Sequence, residues 1–565
     1  MKNSWLGLQE RGEVVFCLGP GAAQRTLVAH LRKAFTLSPL PRSAVHFTCY
    51  DTFDWRLHAA GLRLSSHEDD GATFLALRPI AGGEGAGGGK KLLAVDKIPS
   101  FASDLSQGPL RRRLESVTEV RRLLPQARVE LSTIGYAVLD EREKTVVRIF
   151  FEKARARDPQ DAWNSVDLAV ALRVVPVAGY GKAQARLLAH LEGCRGLGHG
   201  DPDLAMRALV GLDREPGKRR SGLEGVLDPA APVGQAFLVL QRGLVGVVGA
   251  NEPGIRADLD VEHLHDLRVA VRRSRVLHRI FREEMAGTEF EALIVGFKWL
   301  GRVTGPTRDL DVHLIELLEQ QEAVSEEAEA LLPLAALLRE RRQQAWSRLV
   351  DELDSSNYAE LEVLAAALLD LPESDAAARM SRAGPPLGPW ASLRVAKAHR
   401  RLVKHGRSID RGSPDERLHE LRIDAKRLRY LMEFFRSLYP ADEIGSLVKA
   451  LKRLQENLGE FNDACVQSEL LRGLARDLDA RGCASADALV AIGRLVERAE
   501  ARKADERAAF EARFMRFEAR ETHARFRRLF GRGKTGGGRD QKSGAGRKPE
   551  GDEAESGGDN DASGA

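Results

Sequence analysis

Two stretches of this chain carry the same cations at the same spacing. Glu262 to Arg282 reads EHLHDLRVAVRRSRVLHRIFR, and Arg417 to Arg436 reads RLHELRIDAKRLRYLMEFFR. An α-helix turns about 100° per residue, so positions i, i+3, i+7 and i+10 share one face. His265, Arg268, Arg272 and Arg275 have that spacing, as do His419, Arg422, Lys426 and Arg429, and Arg279 prolongs the first stripe by a turn. Each set falls within an arc of roughly 80°. Like charges three and four residues apart repel by a few tenths of a kcal/mol per pair, so a face that gathers them twice needs a compensating anion. Arginine suits phosphate oxygens because its planar fork donates two hydrogen bonds at once. Asp266 is the sole acid between His265 and Arg282, whereas Glu420 and Asp424 lie close to the second stripe. A third stripe, Arg394, Lys397, Arg401 and Lys404, has no acid from Arg394 to Arg407.

The histidines need a separate reading. HxxR is not a metal-ligand pattern, and His263 and His265 point to different helix faces, so no shared metal is expected. A histidine heading a basic stripe can donate to a phosphate oxygen, with its charge rising as pH falls through its titration range.

The elements that must hold these residues are duplicated. An offset of 154 residues carries His265 onto His419, Arg273 onto Arg427, Lys298 onto Lys452, Leu300 onto Leu454, Gly305 onto Gly459 and Asp309 onto Asp463. A register kept this long without an insertion indicates a repeated helical unit. Leu264, Leu267, Val271, Leu418, Leu421 and Leu428 can face a core beside the stripes. Helical pattern runs from about Val233 to Phe530, with long runs at Ser325–Glu352, Asn357–Leu371 and Ser485–Arg520 and turns at Gly305-Pro306 and Ser413-Pro414. A helical bundle is the natural architecture.

The repeated H-x-x-R-V/I-x-x-x-R/K-R-x-R pattern, followed by FKWLGRVTGPTRDLD in one copy and LKRLQENLGEFND in the other, resembles the CHAD family, the conserved-histidine α-helical domain, over residues 228–530. The resemblance implies two antiparallel four-helix bundles related by a pseudo-twofold axis, with a basic central surface that binds inorganic polyphosphate. The residues expected to hold that ligand are the three stripes named above, read from their spacing, together with Arg273, Lys298, Arg427, Lys449 and Lys452; the ligand's identity is what the resemblance implies.

Residues 1–200 read differently. Glu13–Leu18, Val45–Tyr50, Thr73–Leu77, Tyr136–Leu139, Thr145–Phe151 and Leu168–Val175 have strand character, and helices are expected over Ala22–Ala34 and Lys182–Glu192. Gly82–Gly89 reads as a flexible loop. The GGGKK that follows fails as a phosphate loop, because Glu84 stands at the first glycine and Lys91 at the Ser/Thr position. CYDTFDWRLHAAGLRL, Cys49 to Leu64, resembles the YYDTxDxxLxxxGLxLR segment of the CYTH family. That resemblance implies an antiparallel β-barrel, the triphosphate tunnel, whose inward Glu and Arg/Lys side chains hold triphosphate with Mg²⁺ or Mn²⁺. The carry-over is partial. Glu13 matches the first acid of the E-x-E-x-K strand, but Val15 and Cys17 replace its second acid and its lysine; Arg63 is kept, Ser65 replaces the closing basic residue, and Arg78 stands in for a tunnel lysine. The late E-x-E strand is replaced by Leu168–Leu172, although Glu152 survives. Metal-assisted hydrolysis needs several carboxylates, so a barrel without catalytic or metal-binding residues is expected, with Mg²⁺ or Mn²⁺ required only if it is active.

The fold class is therefore α+β multidomain: a CYTH-like barrel at 1–200, a linker at 201–227 that includes DREPGKRRSGLEG, the all-α domain at 228–530, and a disordered charged tail at 531–565. The net charge of +4 is small, so anion affinity must come from local clustering. Aromatics at 6% argue against base-stacking platforms for single strands. Five scattered cysteines, never spaced as CxxC, suit a reducing compartment and give neither a disulfide frame nor a zinc site. With no 18-residue apolar run and no signal peptide, a cytoplasmic protein without a membrane partner is expected. Three functions compete: noncatalytic polyphosphate binding, with targeting to polyphosphate granules; a CYTH-type metal-dependent inorganic triphosphatase; and binding of nucleic-acid backbones. Oligomeric state is left open.

Overall fold

The computed structural model describes residues 12–19, 23–69, 71–80, 91–161, 163–217, 226–285, 291–323, 328–370 and 385–531. The Gly82–Gly89 loop, part of the expected linker and nearly all of the expected tail lie outside the described residues.

The β-rich half is one antiparallel sheet of eleven strands. They are β1 (Val14–Leu18), β2 (Thr36–Pro39), β3 (Ser43–Asp51), β4 (Leu62–Asp69), β5 (Ala72–Pro79), β6 (Lys91–Val95), β7 (Leu124–Leu139), β8 (Thr145–Arg157), β9 (Ser165–Asp167), β10 (Ala171–Pro176) and β11 (Leu197–His199). The order is β11-β1-β10-β8-β7-β3-β4-β5-β6, with β2 also on β7 and β9 on β8. Among the described residues β6 and β11 are the two ends of the sheet and do not pair with each other.

Alternation gives each strand two faces. Phe16, Ile149, Phe151, Leu172 and Val174 form a core with helices α1 (Gln24–Leu31) and α4 (Gly181–Glu192) through Val28, Leu31, Leu187 and Leu191. Further along the sheet, α2 (Arg56–Ala59) and α3 (Pro109–Thr118) place Leu57, Leu110 and Leu114 against Leu64, Leu75 and Leu77. The opposite face, with Ala127, Val129, Ala154 and Ala156, is covered by α5 (Leu204–Gly211) through Ala208, Leu209 and neighbouring Leu212. Residues 203–212 thus belong to the β-rich core and not to a linker, because Asp203 caps α5 by accepting from Ala205 and Met206 and the helix has a sheet face to bury against.

The helical half repeats by the same 154 residues. Helices α6 (Val233–Arg256), α7 (Val261–Ile280), α8 (Arg282–Met285), α9 (Glu291–Val303), α10 (Gly305–Ala323), α11 (Leu332–Leu353) and α12 (Ser356–Asp370) make the first copy. The second has α13 (Leu387–Arg407), α14 (Asp415–Phe434), α15 (Ala441–Ala480), α16 (Ala486–Phe517) and α17 (Arg520–Phe530). The starts of α6 and α13, of α7 and α14 and of α11 and α16 differ by the repeat offset. Pro306 denies a backbone donor and interrupts the α9/α10 pair, whereas Glu460 at the equivalent position lets α15 run on unbroken.

Repeat-equivalent residues touch each other, as they must on a twofold axis. Pro232 and Pro386 form an antiparallel bridge, and the rings of Phe281 and Phe435 lie 6.2 Å apart. One large core joins the copies through Phe237, Leu267, Phe281, Trp390, Leu421 and Phe435. Alone among the described helices, α6 is long and apolar enough by composition to cross a bilayer, contrary to the expectation that no such stretch exists. Here most of it is buried in this core.

The candidate anion-binding face

Leu264, Leu267, Val271, Leu418, Leu421 and Leu428 are all buried, which fixes the rotation of α7 and α14 and turns both basic stripes to one surface. The stripes converge at the axis. Lys426 is depressed to about 8 by burial and then by Arg422 and Arg272, and Arg272 is its own repeat equivalent. Burial and Arg272 also push Arg422 down, although Asp463 opposes them. Arg427, between Arg401, Arg279 and Arg394, is lowered first by burial and then by those guanidiniums. The third stripe, on α13, therefore borders the second.

Not every predicted cation is free. Arg394 lies over the Trp390 ring at 4.7 Å and pairs with Glu283 at 3.5 Å and Glu284 at 3.7 Å. Arg401 pairs with Asp424 at 2.9 Å, and His405 reaches the same carboxylate at 3.1 Å. Arg422 pairs with Asp463 at 3.2 Å, and Arg268, the equivalent in the first copy, has Asp309 as its opposing charge. Arg268 also donates to the Gly301 carbonyl and to Thr304 Oγ1, both at 3.1 Å. A Cβ on Gly301 would stand 3.0 Å from Arg275 Nη1, so glycine leaves that guanidinium its place. Arg272, Arg275, Arg279, Lys397, Lys404 and Lys426 make no hydrogen bond or ion pair with any described residue. Lys298, Lys449 and Lys452 are exposed on α9 and α15, and no hydrogen bond or ion pair among the described residues joins them to the axis cluster. Lys452 instead meets Glu456 at 3.8 Å.

The two histidines differ. His419 is exposed, with its Nδ1 at 2.8 Å from Asn462 Oδ1. His265 is pushed down to about 4 by burial and then by Arg308, Arg272, Arg121 and Arg268, so it is neutral at pH 7 in the absence of an anion. Arg308 occupies the position equivalent to Asn462, so His265 faces a guanidinium where His419 meets an amide, in addition to being more buried. Sequence comparison of the copies could have exposed Arg308, which interrupts the repeat beside the aligned Asp309. Arg121, in contrast, comes from the β-rich half and carries no motif. Fully buried, it donates to Asp260 at 3.1 Å and pairs with Asp266, the acid in the first stripe. His263 is a core residue whose Nδ1 lies 3.1 Å from Asn251 Oδ1.

In the β-rich half, Glu13 and Glu152 do come together, but around a cation. Arg173 pairs with Glu13 at 2.8 Å and with Glu152 at 2.5 Å, and Arg207 of α5 adds a second contact to Glu152 at 2.7 Å. Arg63 pairs with Asp203, while Arg78 is pushed down by burial. The carboxylates that Mg²⁺ or Mn²⁺ would require are already neutralised by buried guanidiniums, so these residues do not fit the metal that the tunnel resemblance implies.

Residues 242–472 match the model of the CHAD domain. The helical half of this chain thus carries a CHAD domain. Among solved structures, the CHAD domain from the plant Ricinus communis is 28% identical, with 51% of this chain and 94% of that chain covered and a TM-score of 0.44. PptA from Streptomyces chartreusis is 18% identical over 50% of this chain and 100% of its own, with a TM-score of 0.39. The β-rich half is similar to HpAC1 of Hippeastrum, a proposed adenylyl cyclase described as having a dominant triphosphatase activity, at 11% identity over 37% of this chain and 98% of that one, with a TM-score of 0.25. No curated protein matches the chain.

Proposed function

We propose that the helical domain binds inorganic polyphosphate without cleaving it, across the face where α7 and α14 meet. The observation that carries this reading is the approach of Arg272 to its repeat equivalent Lys426 at the pseudo-twofold axis, neither of them in an ion pair with a described carboxylate, although Asp463 acts on Lys426 without pairing with it. Positive charges crowded and partly desolvated in this way are held in the free protein at an electrostatic cost that a polyanion relieves. Successive phosphates on one chain engage several such cations, so affinity grows with chain length and falls with salt.

The test is titration of the full chain with long-chain polyphosphate at two salt concentrations, beside the Arg272→Ala/Lys426→Ala variant and with duplex DNA as competitor. Salt-sensitive binding that the double variant loses and excess DNA leaves intact supports the reading. Binding that is absent, or equal in the variant, overturns it, and displacement by DNA reassigns the face to nucleic-acid backbones.

A further inference from the structure

On the outer side of the sheet, far in sequence from the basic stripes, three soft donors converge. His30 lies in the last turn of α1, His190 in the last turn of α4, and Cys194 just beyond α4. Their ligand atoms all lie within 4.8 Å of one another. We propose that His30, His190 and Cys194 form a binding site for a zinc-class divalent ion that ties α1 to α4.

The donor chemistry selects the ion. Two imidazoles and a thiolate form a borderline-soft set suited to Zn²⁺ and Co²⁺ rather than to Mg²⁺ or Ca²⁺. A second observation points the same way. His190 Nε2 is buried and has no hydrogen-bond partner, an unsatisfied nitrogen that a metal would take up. The framework is firm, because Val28 and Leu31 of α1 and Leu187 and Leu191 of α4 share a core directly beneath the three donors.

Little has to move. Tetrahedral zinc with Zn–S of about 2.3 Å and Zn–N of about 2.0 Å needs donors roughly 3.5 Å apart. His30 is exposed and stacks on His190 with ring centroids 4.9 Å apart, so it can swing out of the stack to bring its nitrogen inward. Cys194 Sγ now donates to the His190 carbonyl at 3.3 Å, a bond given up when the thiol releases its proton to solvent and the sulfur binds the metal. A fourth position is left for water. Spacing among the cysteines alone could not reveal the site, since its histidines lie 4 and 164 residues from Cys194.

The test uses the full chain and Co²⁺ as a spectroscopic probe, followed by Zn²⁺ competition. One equivalent of Co²⁺ should bind with a thiolate charge-transfer band and tetrahedral d–d absorption, both displaced by Zn²⁺. Cys194→Ser should abolish the charge-transfer band, and His30→Gln, at an exposed position that does not threaten folding, should weaken binding roughly ten-fold or more. The proposal fails if no stoichiometric binding occurs, or if binding is unchanged in His30→Gln. A band that persists in Cys194→Ser also overturns it, because the metal then sits on one of the other four cysteines.

Discussion

Arg273 on α7 donates to Glu433 on α14 at 3.4 Å, and the repeat-equivalent relationship sets Arg427 beside Arg279. One side of the pseudo-twofold axis is thus closed by an ion pair, while the other holds two guanidiniums against each other. Glu433 also meets Arg429 at 3.4 Å, so a single carboxylate quiets two cations on the closed side. On the proposed reading the open side, where Asp424 is the carboxylate that opposes the crowded guanidiniums, is expected to contribute more to anion binding.

Replacing Arg279 with glutamine should therefore separate binding from stability. Polyphosphate affinity should fall about two- to five-fold, equivalent to ~0.4–1 kcal/mol for a partly solvated contact. The melting temperature should hold or rise slightly, because a like-charge contact with Arg427 is removed. Glu433→Gln should do the reverse, binding more tightly while melting lower. Titration and thermal unfolding of the two variants side by side check both signs; a parallel loss in both measurements for Arg279→Gln would make the charge structural.

Lys426 sets a pH dependence. Its ammonium is held at about 8 in the free protein, below the ordinary lysine range, by burial and by Arg422 and Arg272. A bound polyanion favours the charged form, so binding takes up a proton once the pH exceeds about 8. Affinity should be flat below that point and fall roughly ten-fold from pH 7 to pH 9. Stability moves the other way. The depressed folded-state value penalises the charged fold below pH 8, and that cost fades as the pH climbs toward the unfolded value of 10.5. Lys426→Arg, charged throughout this range, should bind equally at pH 7 and pH 9. Titrations at the two pH values decide it.

Arg121 links the two halves of the chain. It is buried together with Asp260, the residue that caps α7 by accepting from Glu262 and His263. Its ring partner Phe53 packs on His263 at 4.6 Å, and Arg56 reaches Glu262 at 3.4 Å beside it. Removing one partner of a buried pair strands the other, at a cost of about 3–5 kcal/mol. Arg121→Met should lower the melting temperature markedly. It should also return the charge of Asp266 to the first stripe and weaken polyphosphate binding, as paired denaturation and binding curves would show.

The helical repeat was legible because its evidence is redundant. A shared offset, apolar residues at helical spacing and two aligned cation sets all point to one arrangement, and α6 and α17 begin and end at the expected Val233 and Phe530. The strands rich in Val and Phe were equally visible. Strand β4, LRLSSHED, was missed as a strand because it is polar and barely alternates, and α5 was missed because its buried face exists only once the sheet is present. Within the site, spacing identified which cations share a face, but not which carboxylates reach across from other helices. Asp424 quieting Arg401 and Asp463 quieting Arg422 are tertiary facts. Arg121 is the extreme case, since nothing local distinguishes it from Arg122.

Arg173 accounts for the state of the β-rich half. It lies on β10 opposite Val15, with Glu13 two residues before that partner and Glu152 two residues beyond Phe150 on the other neighbouring strand, so all three side chains share one face of the sheet. Arg173 is the guanidinium that Glu13 and Glu152 share, and Arg207 reaches Glu152 from the other side, so removing Arg173 breaks two buried ion pairs at once. Arg173→Met should cost about 3–5 kcal/mol near neutral pH. In the unmodified protein, where both carboxylates are paired, millimolar Mg²⁺ or Mn²⁺ should leave the melting temperature unchanged and release no phosphate from tripolyphosphate. A metal-dependent rise in melting temperature would instead mean that Arg173 yields its place to the ion, and the β-rich half would then have to be read as a working triphosphate site.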